Sequence, residues 1–276
     1  MELYLKNGEW LNIPNIPIQD RAFQYGDGCF TTAKIQQNNI LLWERHLQRL
    51  KRDCDKLHLQ PCFHHLEQLV ADLQKFSGMD SLTGTIKIII SRGQSHRGYG
   101  FSHSQKSDVY VCFYPNHAIQ INYNEIHSDV LTLPISAQLM PILVGVKSLN
   151  RLEQVLLKRE AKTKGVDEAL VLDTNQRVIE GVSSNCFLHV GGVWQTPKLI
   201  GAGIQGVMRE EILVRMRSVG IDVCETDIYK PMLSQVDALF FCNALHPMQA
   251  VHTFSGRRLD CSMTQALFNL LRLEHI

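Results

Sequence analysis

The fold of this chain is decided around the stretch Ile142-Leu143-Val144-Gly145-Val146-Lys147-Ser148-Leu149-Asn150-Arg151-Leu152-Glu153-Gln154-Val155. An apolar segment leads into a lysine, and apolar residues at helical spacing follow it. Asn150 followed by Glu153 is typical of a capping pair that opens a helix. A lysine placed there is a candidate for Schiff-base chemistry, because apolar neighbours and the helix dipole both disfavour its protonated form. A surface lysine is the commoner origin of such a pattern.

Outward from this stretch, the apolar periodicity predicts clusters of strands separated by helices. The predicted helices cover 42–57, 63–76, 149–161, 207–219 and 263–273. The predicted strands cover 2–6, 29–36, 86–91, 109–114, 130–135, 169–172, 178–180, 186–190, 193–195 and 238–242. Because strands and helices do not alternate strictly, we predict an α+β protein with two domains. The smaller domain is expected at residues 1–117 and the larger at 118–276.

The composition disfavours several classes of partner and site. The 276 residues include 28 Lys and Arg against 27 Asp and Glu, a net charge of +1, which argues against nucleic acid or an anionic membrane as the partner. No apolar run approaches the ~20 residues that cross a bilayer, and the first residues lack a signal-peptide pattern. We therefore expect a cytoplasmic protein. The eight cysteines contain no C-x-x-C and the histidines lack metal-ligand spacing, so we expect no metal.

Two further stretches have the chemistry of a cofactor site. Gly201-Ala202-Gly203-Ile204-Gln205-Gly206 is a formal G-x-G-x-x-G motif before a predicted helix, whose N–H groups favour a phosphate. Pro197 does not suit the central strand that a dinucleotide fold needs there, and an unliganded glycine turn is the alternative. Glu180 ends a predicted strand, where a carboxylate can hold a protonated ring nitrogen. The alternative for Glu180 is a simple turn at the end of a strand.

Three arginines are candidates for binding anions. Arg45 lies on the first predicted helix, and Arg92 and Arg97 lie in a glycine-rich loop after a predicted strand. Guanidinium groups bind carboxylates and phosphates through paired hydrogen bonds. A role in surface solubility is the alternative for all three.

Taken in order along the chain, these motifs resemble the fold-type IV pyridoxal-phosphate enzymes, which include branched-chain and D-amino-acid aminotransferases and 4-amino-4-deoxychorismate lyases. The resemblance is carried by residues 20–28, 44–47, 91–93, 147–154, 167–170, 180–187 and 203–206. It implies a two-domain α+β fold with the cofactor, pyridoxal 5'-phosphate, in the cleft between the domains. It also implies a homodimer that acts on a small molecule.

The resemblance implies a role for each candidate residue. Lys147 carries the cofactor and later moves a proton, and Glu180 keeps the pyridine nitrogen protonated. Thr31 contacts the substrate or orients hydrogen bonds to the cofactor. The other cofactor ligands are Arg45, Ser183, Ile204, Gln205, Asn243 and Ala244. The substrate ligands are Arg97 first, then Arg92, Arg151 and Tyr99.

Within this family, a few positions favour a lyase. D-Amino-acid aminotransferases usually have Tyr-Glu where this chain has Phe30-Thr31, and branched-chain aminotransferases have Asn-Tyr where it has Asn150-Arg151. Residues 28–32, 97–99, 147–155 and 242–245 resemble the lyases instead. The resemblance therefore implies cleavage of 4-amino-4-deoxychorismate to 4-aminobenzoate and pyruvate for folate biosynthesis. The alternatives are an aminotransferase of this fold for a D- or branched-chain amino acid, and a protein that binds a ligand without catalysis.

Overall fold

The computed structural model describes residues 2–102, 104–116, 121–136 and 140–276. The chain divides into two compact units. Unit 1 comprises Met1–Gln120 and Val146–Asn150, and unit 2 comprises Ile121–Gly145 and Arg151–Ile276. The predicted boundary between residues 117 and 118 lies outside the described residues. The prediction also assigned the whole of 118–276 to one domain, whereas the segment around Lys147 belongs to unit 1.

The described part of unit 1 holds one antiparallel sheet of six strands, in the order β2-β1-β6-β5-β3-β4. Its strands are β1 (Leu3–Lys6), β2 (Glu9–Trp10), β3 (Gly28–Gln36), β4 (Asn39–Ile40), β5 (Gly84–Ser91) and β6 (Asp108–Pro115). Its helices are α1 (Arg21–Tyr25), α2 (Trp43–Leu57), α3 (His64–Glu67) and α4 (Leu69–Ser77). The predicted helix at 63–76 is therefore two helices, α3 and α4.

The core of unit 1 follows from the periods of its strands and helices. Successive side chains of a strand point to opposite faces, and in β5 the buried isoleucines 86, 88 and 90 alternate with half-buried residues. Leu50 and Cys54 of α2 and Leu73 of α4 belong to the same buried cluster. Helix α2 therefore has one face in the core, and any polar residue on that face is buried.

The described part of unit 2 holds a mixed sheet in the order β12-β11-β10-β13-β14-β7-β8-β9, with β15 paired to β14. Its strands are β7 (Asn124–Val130), β8 (Glu168–Leu172), β9 (Val178–Gly181), β10 (Asn185–Val190), β11 (Val193–Pro197), β12 (Val223–Thr226), β13 (Val236–Cys242), β14 (Gln249–Phe254) and β15 (Arg257–Arg258). Its α-helices are α5 (Leu152–Thr163), α6 (Val207–Ser218) and α7 (Ser262–Leu270). The predicted α+β class is confirmed.

Two local predictions in unit 2 are wrong. The strand predicted at 130–135 is β7, which ends at Val130, and beyond it Ile135 makes an isolated bridge to Asp173. The first residues of β7 are polar, so the strand was predicted instead in the apolar run that follows it. The capping pair is also wrong, because the Glu153 carboxylate accepts the N–H of Ser136 at 3.0 Å.

Among the helices of the described residues, none is long and apolar enough to cross a membrane.

Candidate active site

Lys147 lies in a short segment that pairs with the first residues of β3. The N–H of Phe30 donates to the Lys147 carbonyl at 3.0 Å, and the N–H of Leu149 donates to the Gly28 carbonyl at 3.0 Å. The Lys147 amine lies 4.6 Å from the centroid of the Phe30 ring, over its face. Strand pairing therefore fixes the main chain of the lysine, and an aromatic ring forms one wall beside its amine.

A buried carboxylate holds the other side of the Lys147 peptide. The N–H of Lys147 donates at 3.0 Å to Asp53 of α2, whose side chain is fully buried. Burial raises the pKa of Asp53, and the bond from the Lys147 amide together with the charges of Arg52 and Arg49 opposes that rise. Strand and helix thus both hold the Lys147 main chain, so the amine projects from a defined position.

Thr31, His46 and Arg49 form a buried polar cluster between β3 and α2, which we call the α2 cluster. The Thr31 hydroxyl accepts a hydrogen bond from the Arg49 guanidinium and lies 2.6 Å from Nδ1 of His46. The hydroxyl has one proton and two acceptor lone pairs, so it donates to Nδ1 in one tautomer of the neutral imidazole and accepts from Nδ1–H in the other. Thr31 is fully buried. Its contact with the substrate and its orientation of cofactor hydrogen bonds both stay predictions.

His46 is neutral in this surrounding. Burial, and to a smaller extent the positive charges of Arg49 and Lys147, lower its pKa to about 3. The cluster therefore carries the single positive charge of Arg49.

We expect acid to destabilise the protein through His46. In the unfolded chain the pKa of histidine is about 6.5. Below that pH the imidazole of His46 is protonated in the unfolded state but stays neutral in the folded state. Stability therefore falls as the pH falls from about 6.5 towards 3, and between about pH 7 and 5 the loss from this residue is about 2 kcal/mol. Urea unfolding of the wild type and of His46→Gln at several pH values measures it. Equal losses in the two proteins would contradict a neutral, buried His46.

The polar face of α2 was not predicted from the sequence. His46, Arg49 and Asp53 are spaced i, i+3 and i+7, which places them on one helix face, and all three are buried. Leu50 and Cys54 share that buried side, so polar residues inside an apolar stripe were the available signal. The prediction named Arg45, which is half-buried, whereas Arg49 is the buried guanidinium of this helix.

Glu180 ends β9 in unit 2 with a buried carboxylate. The side chain is 4% exposed and its Oε2 accepts the N–H of Ile204 at 2.8 Å. Gly203 reaches this place with a φ of 90°, and a Cβ there would lie 2.7 Å from the Leu199 side chain and 3.5 Å from the Glu180 carboxylate. Glycine is therefore required where the turn passes the carboxylate.

The same turn leads into helix α6. Asn185 donates from its side chain to the Ile204 carbonyl at 2.9 Å, and a Cβ on Gly206 would overlap the Asn185 amide oxygen. The N–H of Ile204 bonds to Glu180, and the N–H of Gln205 donates to the Gly145 carbonyl at 3.1 Å. Both amides predicted to bind a phosphate are thus bonded within the protein, and a phosphate at either amide requires that bond to be exchanged.

A second buried carboxylate holds the turn after Glu180. Glu168 is 2% exposed and accepts the N–H groups of Val182 and Ser183 at 2.8 and 3.1 Å. It also accepts the hydroxyls of Ser183 and Ser184 at 2.7 and 2.6 Å. Ser183, predicted as a cofactor ligand, therefore has its hydroxyl bonded to Glu168. Glu168 was missed as a supporting residue, although the motif containing it was recognised.

Asn243 and Ala244 follow β13 in a tight turn. The Asn243 side-chain oxygen accepts the N–H groups of Leu245 and His246, each at 2.9 Å. Its amide nitrogen lies 3.4 Å from the Ser183 carbonyl, on the donor side of a long hydrogen bond. The structure thus brings two predicted cofactor ligands, Asn243 and Ser183, together in unit 2.

The predicted substrate arginines have different surroundings. Arg92 is buried, and its guanidinium donates twice to Asp27 at 2.8 and 3.0 Å and to the carbonyls of Leu57 and His58 at 2.7 and 2.9 Å. Arg92 therefore has structural partners on both sides of its guanidinium, and its binding of substrate stays a prediction. Arg97 is exposed in the loop that follows.

Two other predicted substrate residues also have accessible side chains. Tyr99 is 85% exposed and belongs to the same loop as Arg97. Arg151 is half-buried and directly precedes α5.

The side chains present match the functional groups of pyridoxal phosphate. Unit 1 supplies a primary amine on a fixed main chain, Lys147, and a buried guanidinium, Arg49. Unit 2 supplies a buried carboxylate, Glu180, beside a glycine turn at a helix start. The aldehyde of the cofactor needs an amine, its phosphate needs a guanidinium or a helix start, and its pyridine nitrogen needs a carboxylate.

Comparisons with known proteins agree with this donor set. Residues 28–254 match the model of the class IV aminotransferase family. The chain is 31% identical over 242 residues to an aminodeoxychorismate lyase from Vibrio harveyi, covering 86% of this chain and 87% of that one. A putative branched-chain-amino-acid aminotransferase from Methanocaldococcus jannaschii is 25% identical over 265 residues, covering 94% of this chain and 90% of that one.

Solved structures show the same relationship. A 4-amino-4-deoxychorismate lyase from Pseudomonas aeruginosa superposes with a TM-score of 0.84 at 30% identity, covering 98% of both chains. The branched-chain aminotransferase of Escherichia coli superposes with a TM-score of 0.84 at 21% identity over 96% of this chain and 91% of that one, which shows a shared fold. The chain belongs to the class IV aminotransferase family, the fold-type IV enzymes that depend on pyridoxal phosphate.

Proposed function

We propose that the enzyme cleaves 4-amino-4-deoxychorismate to 4-aminobenzoate and pyruvate, a carbon–oxygen lyase reaction of folate biosynthesis. The observation that carries the proposal is Phe30 beside the Lys147 amine, at 4.6 Å. D-Amino-acid aminotransferases resembling this chain usually have a tyrosine at this place. Similarity to two aminodeoxychorismate lyases, at 31% and 30% identity over most of each chain, supports the same choice.

Bound pyridoxal phosphate supplies an electron sink for the charge left when a proton leaves the amine-bearing carbon of the substrate. Lys147 would hold the cofactor at rest, and its amine would take the proton from that carbon. Glu180 would keep the pyridine nitrogen protonated, which sustains the electron sink. The bond between the ring carbon and the enolpyruvyl oxygen would break with its electron pair on the oxygen, and the ring would become aromatic. The enolpyruvate would take a proton at its methylene carbon, from the Lys147 ammonium or from water, and leave as pyruvate. Aromatisation drives this loss, so a second strong acid is unnecessary.

The remaining roles fall to cationic and polar groups. We retain Arg45 for the cofactor phosphate and add Arg49, because a buried guanidinium meets an anion with little competition from water. Ile204, Gln205, Ser183, Asn243 and Ala244 remain proposed cofactor ligands. For the two substrate carboxylates we propose Arg97, with Tyr99 and Arg151 as further ligands. The cytoplasmic location and the homodimer also remain proposals.

Product analysis of the purified holoenzyme tests the proposed reaction. Incubation with 4-amino-4-deoxychorismate should release pyruvate and 4-aminobenzoate in equal amounts. The matched control is chorismate, which lacks the amino group and should yield neither product. Turnover of the substrate without pyruvate would overturn the proposal.

An aminotransferase is the second candidate. It is favoured by the 25% identity to the Methanocaldococcus jannaschii protein, which extends over 94% of this chain. Under this alternative, the holoenzyme transfers the amino group of a D- or branched-chain amino acid to a 2-oxo acid. Scoring such transfer beside the lyase assay decides between the two.

A further inference from the structure

The loop at residues 95–100 presents exposed side chains, Arg97 and Tyr99 among them, from a glycine-rich backbone. Arg97 and Tyr99 are exposed, and each is followed by a glycine. Gly98 has a φ of 105°, and the space where a Cβ would stand on Gly98 or Gly100 is open for 4 Å. Such a backbone has many accessible conformations. What orders it therefore decides where the Arg97 guanidinium stands.

A buried guanidinium from another part of unit 1 binds this loop. Arg21, the first residue of α1, is 3% exposed. Its terminal nitrogens donate to the carbonyls of Gly98, Tyr99 and Gly100 at 2.9, 3.0 and 3.2 Å. They also reach the Ser95 hydroxyl at 3.1 Å. One side chain thus bonds to four residues of the loop, three of them through the main chain.

A carboxylate on the side away from the loop fixes the Arg21 guanidinium. Its Nε donates to Asp27 at 2.7 Å, and Asp27 also receives two hydrogen bonds from the buried Arg92. The two guanidinium groups hold the pKa of Asp27 below its usual range, against the opposing effect of burial, which is the largest single contribution. The carboxylate is therefore charged at neutral pH and anchors Arg21 by a charge-assisted bond.

The helix that carries Arg21 is fixed to the sheet of unit 1. Asp20 caps α1 by accepting the N–H of Ala22 at 2.8 Å, and it is fully buried. It also accepts the hydroxyls of Ser91 and Tyr110 at 2.5 and 3.0 Å. The main chain of Arg21 is therefore held in a fixed position, and the hydrogen bonds of its side chain fix the loop relative to α1.

An aromatic contact continues the same arrangement at the surface. The Arg21 guanidinium lies 5.0 Å from the centroid of the Tyr25 ring, and that ring lies 5.4 Å from the ring of Tyr99. The side chain of Tyr99 is thus supported by Tyr25, while its carbonyl is bonded to Arg21. Main chain and side chain of the loop are both fixed from α1.

We propose that Arg21 is a positioning residue for substrate affinity: it orders residues 95–100 so that Arg97 and Tyr99 meet a substrate carboxylate. This inference rests on the proposed function, in which Arg97 binds that carboxylate. A planar fork of five donors serves several carbonyls and a carboxylate at once, whereas the compact ammonium of lysine does not. Without Arg21, binding has to order the loop, which weakens affinity and leaves the chemical step unchanged.

Kinetics of the holoenzyme test the effect on the substrate. For Arg21→Gln and the milder Arg21→Lys we expect KM for 4-amino-4-deoxychorismate to rise about tenfold with kcat within about twofold. Arg97→Ala should raise KM similarly and add little to Arg21→Gln, because both changes remove the same contact. Unchanged KM in both folded Arg21 variants, or a loss confined to kcat, would overturn the inference.

Trypsin tests the loop without any substrate. Cleavage after Arg97 requires the loop to open, so we expect it to be several-fold faster in the Arg21 variants than in the wild type. Arg215→Gln is the matched control, because in unit 2 the Arg215 guanidinium likewise bonds one carboxylate, Glu211, and two carbonyls. Unchanged cleavage in the Arg21 variants overturns the inference. If the Arg21 variants are cleaved faster but the wild-type holoenzyme releases no pyruvate, the proposed function is overturned and the inference about the loop is not.

Discussion

Replacing Lys147 with alanine should lower pyruvate release by at least about a thousandfold, since the residue both carries the cofactor and moves the proton. The variant should also lose the visible absorption of covalently held pyridoxal phosphate. Its main-chain bonds to Phe30 and Asp53 do not involve the side chain, so the variant keeps the contacts that fix this segment. Activity assay and absorption spectroscopy on the purified proteins measure both effects.

The fold of unit 1 offers two lysines for comparison. Lys34 of β3 is buried, with its pKa lowered by burial, and Lys34→Ala should keep the visible band. The amine of Lys87 lies 5.0 Å from the same Phe30 ring that Lys147 covers. Reduction with borohydride followed by peptide mapping should therefore label Lys147. A label on Lys87, or a visible band that survives Lys147→Ala, contradicts the assignment of the cofactor lysine.

Replacing Glu180 with glutamine should lower kcat by about 10²–10³-fold, the usual effect of removing a preorganised charge from a catalytic site. The amide oxygen of glutamine still accepts the N–H of Ile204, so the turn beside it is retained while the negative charge is lost. Without that charge the pyridine nitrogen is less readily protonated, and the electron sink weakens. Steady-state kinetics and the spectrum of the bound cofactor together measure the change.

Two variants separate charge from structure at this position. Glu180→Asp keeps the negative charge on a shorter side chain and should retain more activity than Glu180→Gln. Glu225→Gln removes a carboxylate of unit 2 that bonds Arg209 and Arg217, and it should leave kcat unchanged. Wild-type kcat in Glu180→Gln would show that the carboxylate does not act on the cofactor.

The sequence predicted those parts of the fold whose periodicity is regular. Helix α2 and strand β5 carry clear apolar periods, and both lie close to their predicted positions. The start of β7 is polar, so its true extent was hidden. The return of Val146–Asn150 to unit 1 depends on main-chain pairing with β3, which no side-chain pattern records.

The residues of the candidate site also differ in how far their sequence surroundings could predict them. Lys147 and Glu180 stand in local motifs, next to a helix start and a glycine turn, so short-range sequence sufficed to propose them. The structural partner of Arg92 could not be seen from its motif, because Asp27 lies 65 positions away. Asp53, which supports the Lys147 main chain from the core, was signalled only as a polar residue inside the apolar stripe of α2.

The fate of the substrate nitrogen tests the central claim most directly. The purified holoenzyme is incubated with 4-amino-4-deoxychorismate labelled with ¹⁵N in its amino group, in the presence of an unlabelled 2-oxo acid. A lyase leaves the nitrogen on the ring, so all the label should appear in 4-aminobenzoate with an equal amount of pyruvate. Label in an amino acid formed from the 2-oxo acid, without matching pyruvate, would contradict the proposed lyase reaction.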